Sequence, residues 1–261
     1  MRWIAASVLL AGLFADPSSA GAWTLHHGQF AAFTGAISST ATRRYDPAGV
    51  ASEHVVFNKL LFQNWMEYGL TNSVTLYAVP EYVIARSDMT GGGAAETRSE
   101  SIEAGLRIRL LSDVGILSIQ TSAKSAGAFD MSISSSGEAG RQLESRLLYG
   151  RNFKIFRRDA FVDLEVAKRW IARPRPDEIG LDGTAGWWIT RDNELLVQCF
   201  NFMTTGAVRD PYAPYWLSKL QFSLVQRLTP HWSFQSGYFF SLGGQNIVKE
   251  TGFVGSIWFR T

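Results

Sequence analysis

Ionisable side chains recur in this chain at alternate positions. Glu103, Arg107 and Arg109 share one phase of a first run, Glu144 and Arg146 of a second, and Asp163, Glu165 and Arg169 of a third. Lys219 and Arg227 repeat the pattern further on, and Asp182, Glu250 and Arg260 fall in the same phase of their own runs. In an extended chain alternate side chains share a face, so each set stands on one side of a strand. Unpaired buried charges are costly, so such a face needs water or partners. Both signs occur on runs that can be neighbours, so cross-strand pairs are expected. The chemistry open to these residues is the selection of a small solute, or a salt-bridged filling that merely occupies space.

Bond-making chemistry finds little support. His26, His27, His54 and His231 are the four histidines, and none has a metal-ligand spacing with cysteine or carboxylates. There is no Gly-x-Ser-x-Gly elbow. Gly91-Gly92-Gly93 has no following helix and reads as a loop tip. No catalytic residue, cofactor site or metal site is expected. Basic and acidic residues nearly balance, 25 against 23, so nothing calls for a nucleic-acid partner.

The elements that carry these charges are strands. From Glu100 to Lys124, Ile102, Ala104, Leu106, Ile108 and Leu110 alternate with Ser101, Glu103, Gly105, Arg107 and Arg109. Ser112-Asp113 turns the chain, and Leu117, Ile119 and Ala123 then alternate with polar residues. One face is apolar and the other charged, with no core-forming helix to cover the apolar side. A soluble sandwich fits this pattern, and so does a barrel wall with lipid outside and water inside. About twelve strands are predicted, over residues 26–38, 54–67, 73–87, 98–111, 114–125, 142–153, 159–171, 177–189, 193–205, 215–228, 231–242 and 247–260. The first and ninth do not alternate cleanly, which a bulge would explain, and Asn64 falls on an apolar face.

Connection lengths favour the barrel. Short turns at 69–72, 112–113, 155–158, 190–192 and 228–230 alternate with mostly longer links at 39–53, 88–98, 126–141, 172–176 and 206–214, and the 242–246 link, though short, falls on the same side. Bacterial outer-membrane barrels separate short periplasmic turns from long outer loops in this way. Trp65, Tyr68, Phe153, Phe156, Trp187, Trp188, Trp232, Trp258 and Phe259 gather near the short turns, as an interfacial girdle would. The expected fold is all-β, a transmembrane antiparallel up-and-down barrel in one domain. Twelve strands about 4.8 Å apart and tilted near 40° give a radius of roughly 12 Å and an opening of about 10 Å.

Residues 1–22 read as a secretory signal, with Arg2, an apolar run from Ile4 to Phe14, and Pro17. Ser18-Ser19-Ala20 and Ala20-Gly21-Ala22 both offer small residues for cleavage; the second gives a barrel domain over 23–261. Cys199 is the single cysteine, so no internal disulfide forms.

Ala22-Trp23-Thr24, Glu67-Tyr68-Gly69-Leu70-Thr71, Thr75-Leu76 and Pro80-Glu81 resemble proteobacterial outer-membrane barrels described as transporters, akin to the phenol-degradation MetA-pathway barrels. Leu224 to Pro230 and the closing Gly255 to Arg260 fit the same class. The resemblance implies a Gram-negative outer-membrane location, lipid as the surrounding partner, barrel-assembly machinery as a partner during biogenesis, and passage of a small solute. Barrels of this kind usually end on an aromatic residue, whereas here Arg260 and Thr261 follow Phe259. A non-conducting barrel with a structural, assembly or loop-binding role is the alternative, ahead of a lipid-active enzyme with a Ser-His pair facing lipid.

Overall fold

The computed structural model describes residues 21–88, 95–126, 140–209 and 212–261. The sequence expectations for the glycine-rich tip at 91–93, for most of the 126–141 loop and for residues 1–20 lie outside those residues. Thirteen strand segments form one antiparallel sheet: β1 (Phe30–Tyr45), β2 (Glu53–Thr71), β3 (Val74–Asp88), β4 (Ala95–Leu111), β5 (Ile116–Lys124), β6 (Gln142–Ile155), β7 (Arg158–Ile171), β8 (Asp177–Trp188), β9 (Asn193–Thr205), β10 (Trp216–Arg227), β11 (Trp232–Gln245), β12 (Ile247–Val248) and β13 (Thr251–Arg260). From β1 to β11 each pairs with the next in sequence, and β11 pairs with β13. β1 pairs with β2 on one edge and with both β12 and β13 on the other, so the sheet closes on itself. The two-residue β12 and β13 share one position in the wall, which makes a twelve-stranded barrel.

Closure removes every sheet edge, and the period of two then sorts the side chains. Leu164 is 57% exposed and Phe253 66%, both on the outside, whereas Arg107 is 2% exposed and Asp163 2% on the inside. An outer surface of leucine, valine and phenylalanine needs lipid around it; with lipid there, the ring must satisfy its own backbone hydrogen bonds, as it does. Asn64 does stand on this outer face, where Thr34 Oγ1, its directly paired neighbour, donates to its Oδ1 at 2.9 Å.

Two strands depart from the simple alternation, for different reasons. β1 carries a register shift against β2 between Ala41 and Arg43. β9 pairs with β8 and β10 without a shift, so no bulge accounts for it. Its inward face mixes apolar with polar residues: Leu196 and Phe200 stand beside Glu194 and Gln198, while Leu195 and Val197 are exposed outside. β1 also turns Phe33 and Ile37 into the lumen. A strand with apolar residues on both faces shows no clean period.

β1 begins at Phe30, later than expected, and runs on to Tyr45, so the 39–53 connection shrinks to residues 46–52. Asp46 organises that loop. It accepts from Ser52 Oγ at 2.7 Å and from the Ala48 and Val50 amides at 2.8 and 2.9 Å, and these bonds, Ser52 foremost, hold its carboxyl below the ordinary value. The aromatic belt is thinner than expected. Tyr68, Phe153, Phe156 and Trp232 are exposed on the outside. Trp65 and Trp258 take the opposite phase and line the lumen, and the Arg227 guanidinium covers the Trp188 ring at 4.5 Å.

Leu164→Arg places a cation at the middle of β7 on the lipid face. It should cost about 2–4 kcal/mol in urea unfolding from lipid vesicles, where an equivalent change at the 46–52 loop costs under about 1.

Candidate functional site

The site is the lumen, and the chain's own beginning occupies part of it. Gln29 N–H donates to His26 O at 3.0 Å and Gly28 adopts a φ of +81°, a turn that sends residues 21–27 back inside from the short-turn end. The wall holds this segment by its backbone. Leu25 N–H donates to Thr75 Oγ1 at 2.8 Å, and Ala22 N–H to Asp163 Oδ1 at 2.9 Å. Ser118 Oγ donates to Ala22 O at 2.5 Å and an Arg107 Nη to Trp23 O at 2.9 Å. The Trp23 ring packs edge-on against Phe161 with centroids 5.5 Å apart. A Cβ added to Gly150 would stand 2.6 Å from that ring, so the glycine is the space the indole fills.

Around this segment the charges are shared. Arg107 binds Glu67 at 2.9 Å and Gln120 Oε1 at 3.0 Å, as well as Trp23 O. Arg146 binds Glu144 and Asp182, each at 2.9 Å, and also Glu165. Arg169 bridges Glu144 at 2.7 Å and Glu178 at 2.6 Å, and Arg175 reaches Glu178 at 2.8 Å. Tyr215, in the loop before β10, donates to Glu178 Oε1 at 2.5 Å, and burial raises its phenol above the ordinary value. Planar guanidinium donors suit such many-sided pairing better than a lysine does.

A cavity of about 400 Å³ lies within this network. Glu103, Arg107, Glu144, Arg146, Asp163, Glu165 and Arg169 all line it, together with Glu67 and Asp182. Glu103 accepts from Tyr77 Oη at 3.3 Å. Three residues of the expected set are elsewhere. Lys219 pairs with Glu250, which also binds Lys59 at 2.7 Å. Arg227 stacks on Trp188 at the short-turn rim. Arg109 sits at that rim too, beside the register shift between Arg109 and Leu111, and its backbone N–H donates to Ser73 O. Their phase is that of the others, but their height along the barrel is not, and alternation alone carries no height.

The lumen is less ionic than its sequence face suggests. Phe161, Leu196, Val225 and Trp258, with Trp23 and Phe33, form an apolar layer toward the short turns. Phe57 with Val55, Val83 and Val248, and Tyr45 with Tyr212, Tyr215 and Leu217, form two more toward the long loops. Burial of apolar side chains inside a narrow tube stabilises it as it would a soluble core. Strand number alone therefore overstates the free bore. Glu67, Gln120 and Trp23, and the Glu178, Arg175 and Tyr215 group, are participants sequence reasoning missed; Glu67 shares its phase with Gln63 and Trp65, which was the available signal. Among the described residues no group of three His, Cys, Asp or Glu is arranged to hold a metal.

Arg107→Met leaves Glu67, 1% exposed, without its cation. It should destabilise the barrel by about 3–5 kcal/mol, and adding Glu67→Gln should restore most of the loss; a double-mutant cycle in urea measures both.

No protein-family model matches the chain, and no curated protein matches it. Solved structures do. An outer-membrane channel from Pseudomonas putida F1 superposes with a TM-score of 0.71 at 15% identity, covering 95% of this chain and 100% of that one. The translocator domain of the autotransporter NalP from Neisseria meningitidis follows at 0.60 and 11% identity, covering 91% and 90%. The NanC porin matches at 0.50 and 11% identity, covering 89% and 100%. What these similarities establish is the fold, that of bacterial outer-membrane β-barrels.

Proposed function

We propose that this barrel sits in a Gram-negative outer membrane and passes a small solute through its lumen, in a bore narrowed by residues 21–27. The observation that supports this reading is the mixed lining of the central cavity. It combines the charged Glu103, Arg107, Arg146 and Asp163 with the apolar Phe33, Phe161, Leu196 and Trp258. Such a lining suits a solute with an apolar body and a polar end. The similarity to a channel and a porin agrees with passage, and the short-turn signatures resemble the phenol-degradation barrels named above. Six of the ionisable groups around the cavity are carboxyls and three are guanidiniums, an imbalance that favours cationic over anionic solutes.

The second reading is a non-conducting barrel that works through its loops. The apolar layer of Tyr45, Tyr212, Tyr215 and Leu217 near the long-loop end favours it, because it narrows the outer mouth.

Planar-bilayer recording separates the two. The exported protein should give small currents with a reversal potential on the cation side, and Glu103→Gln should move that potential toward zero. Trp23→Ala removes the indole that fills the lumen between Phe161 and Gly150 and should raise conductance about twofold or more, since conductance follows open area. No current from either the parent or Trp23→Ala would contradict passage.

A further inference from the structure

We propose that the leader is removed between Ala20 and Gly21, and that the ammonium this frees on Gly21 pairs with Asp163 inside the lumen. Hydrolysis of that peptide bond consumes one water, leaving a carboxylate on Ala20 with the departing leader and an ammonium on Gly21. Ser18 and Ala20 are small residues at the positions a leader peptidase requires. The competing bond, after Ala22, satisfies the same rule, so sequence leaves both open.

The geometry distinguishes them. Ala22 is fully buried, and both of its backbone polar groups are engaged by the wall: its N–H by Asp163 Oδ1 at 2.9 Å and its carbonyl by Ser118 Oγ at 2.5 Å. Gly21 lines the central cavity and lies against the same carboxylate. A Cβ on Gly21 would fall 2.2 Å from Asp163 Oδ2, and its φ is +91°, so this position is fitted to glycine on two counts. Cleavage after Ala22 would discard both residues and leave Asp163, 2% exposed, without its amide donor.

Charge points the same way. Around the cavity six carboxylates face three guanidiniums, and Arg146 already serves Glu144, Glu165 and Asp182. Arg107 is taken by Glu67. Asp163 lies next to Glu165, and a cation beside the two relieves the repulsion between them. An ammonium at Gly21 is one residue from the amide that Asp163 already binds. Processing thus supplies the lumen with a positive charge the folded side chains lack, and it seats the segment that carries Trp23. None of this depends on whether the lumen conducts.

The test begins with the intact mass and amino-terminal sequence of protein purified from outer membranes. A chain starting at Gly21 is expected; a chain starting at Trp23 or elsewhere overturns the assignment. The pairing is read by acylating amines with an acetate N-hydroxysuccinimide ester and locating the label by peptide mass. In the folded protein the Gly21 amine should react about tenfold more slowly than in urea. Asp163→Asn should abolish that protection, and so should insertion of one serine between Ala20 and Gly21, which displaces the ammonium even if Asp163→Asn folds poorly. Equal labelling of the folded and unfolded parent, or protection unchanged in both variants, overturns the pairing while leaving the conductance result untouched.

Discussion

Lipid offers no partner to a peptide group, and that constraint shapes this molecule throughout. A sheet can stand in hydrocarbon only when its two edges meet. Here β1 is the closing member, bonded to β2 on one side and to β12 and β13 on the other. Once the ring is closed, the alternation of each strand has a single consistent meaning. Leu164, Val166, Phe222 and Leu224 must face outward, and Asp163, Glu165, Arg169 and Lys219 on those strands are delivered to a crowded tube, while Lys168, in the outward phase, donates to Thr205 Oγ1.

The crowding of that tube explains the site. With few waters to share, carboxylates and guanidiniums must satisfy one another, and each arginine near the centre serves more than one oxygen: Arg107 joins Glu67, Gln120 and Trp23 O, and Arg146 joins three acids. The same crowding makes the N-terminal segment part of the interior. Its indole fills the gap left by Gly150, and its amides and carbonyls are bonded to Thr75, Asp163, Ser118 and Arg107. Apolar layers flank the central ionic zone at both ends. Between them lies a central cavity lined by ionic and aromatic side chains together.

The sequence made the barrel legible because lipid enforces a strict period. Leu106 and Ile108 against Arg107 and Glu103, and long loops alternating with short turns, were sufficient for strand number, order and facing. Strands with apolar residues on both faces were the hard ones. β1 and β9 carry Phe33 and Leu196 inward into the cluster with Trp23 and Trp258, and Phe200 into the cavity lining, and no rule of alternation anticipates a core inside a barrel. Phase also says nothing of height, which is why Arg109, Lys219 and Arg227 share the charged face without reaching the cavity. The role of Trp23 was least visible, since a residue beside a leader sequence gives no sign that it folds back.

Collision measurements on nitroxide labels test the facing of the wall most directly. Single cysteines placed in turn at positions 162–167, in a Cys199→Ser background reconstituted into vesicles, report whether each side chain meets membrane-dissolved oxygen. Labels at Val162, Leu164 and Val166 should be rich in oxygen collisions, and those at Asp163, Glu165 and Ala167 poor. A profile without alternation, or one in the reverse phase, would contradict the account.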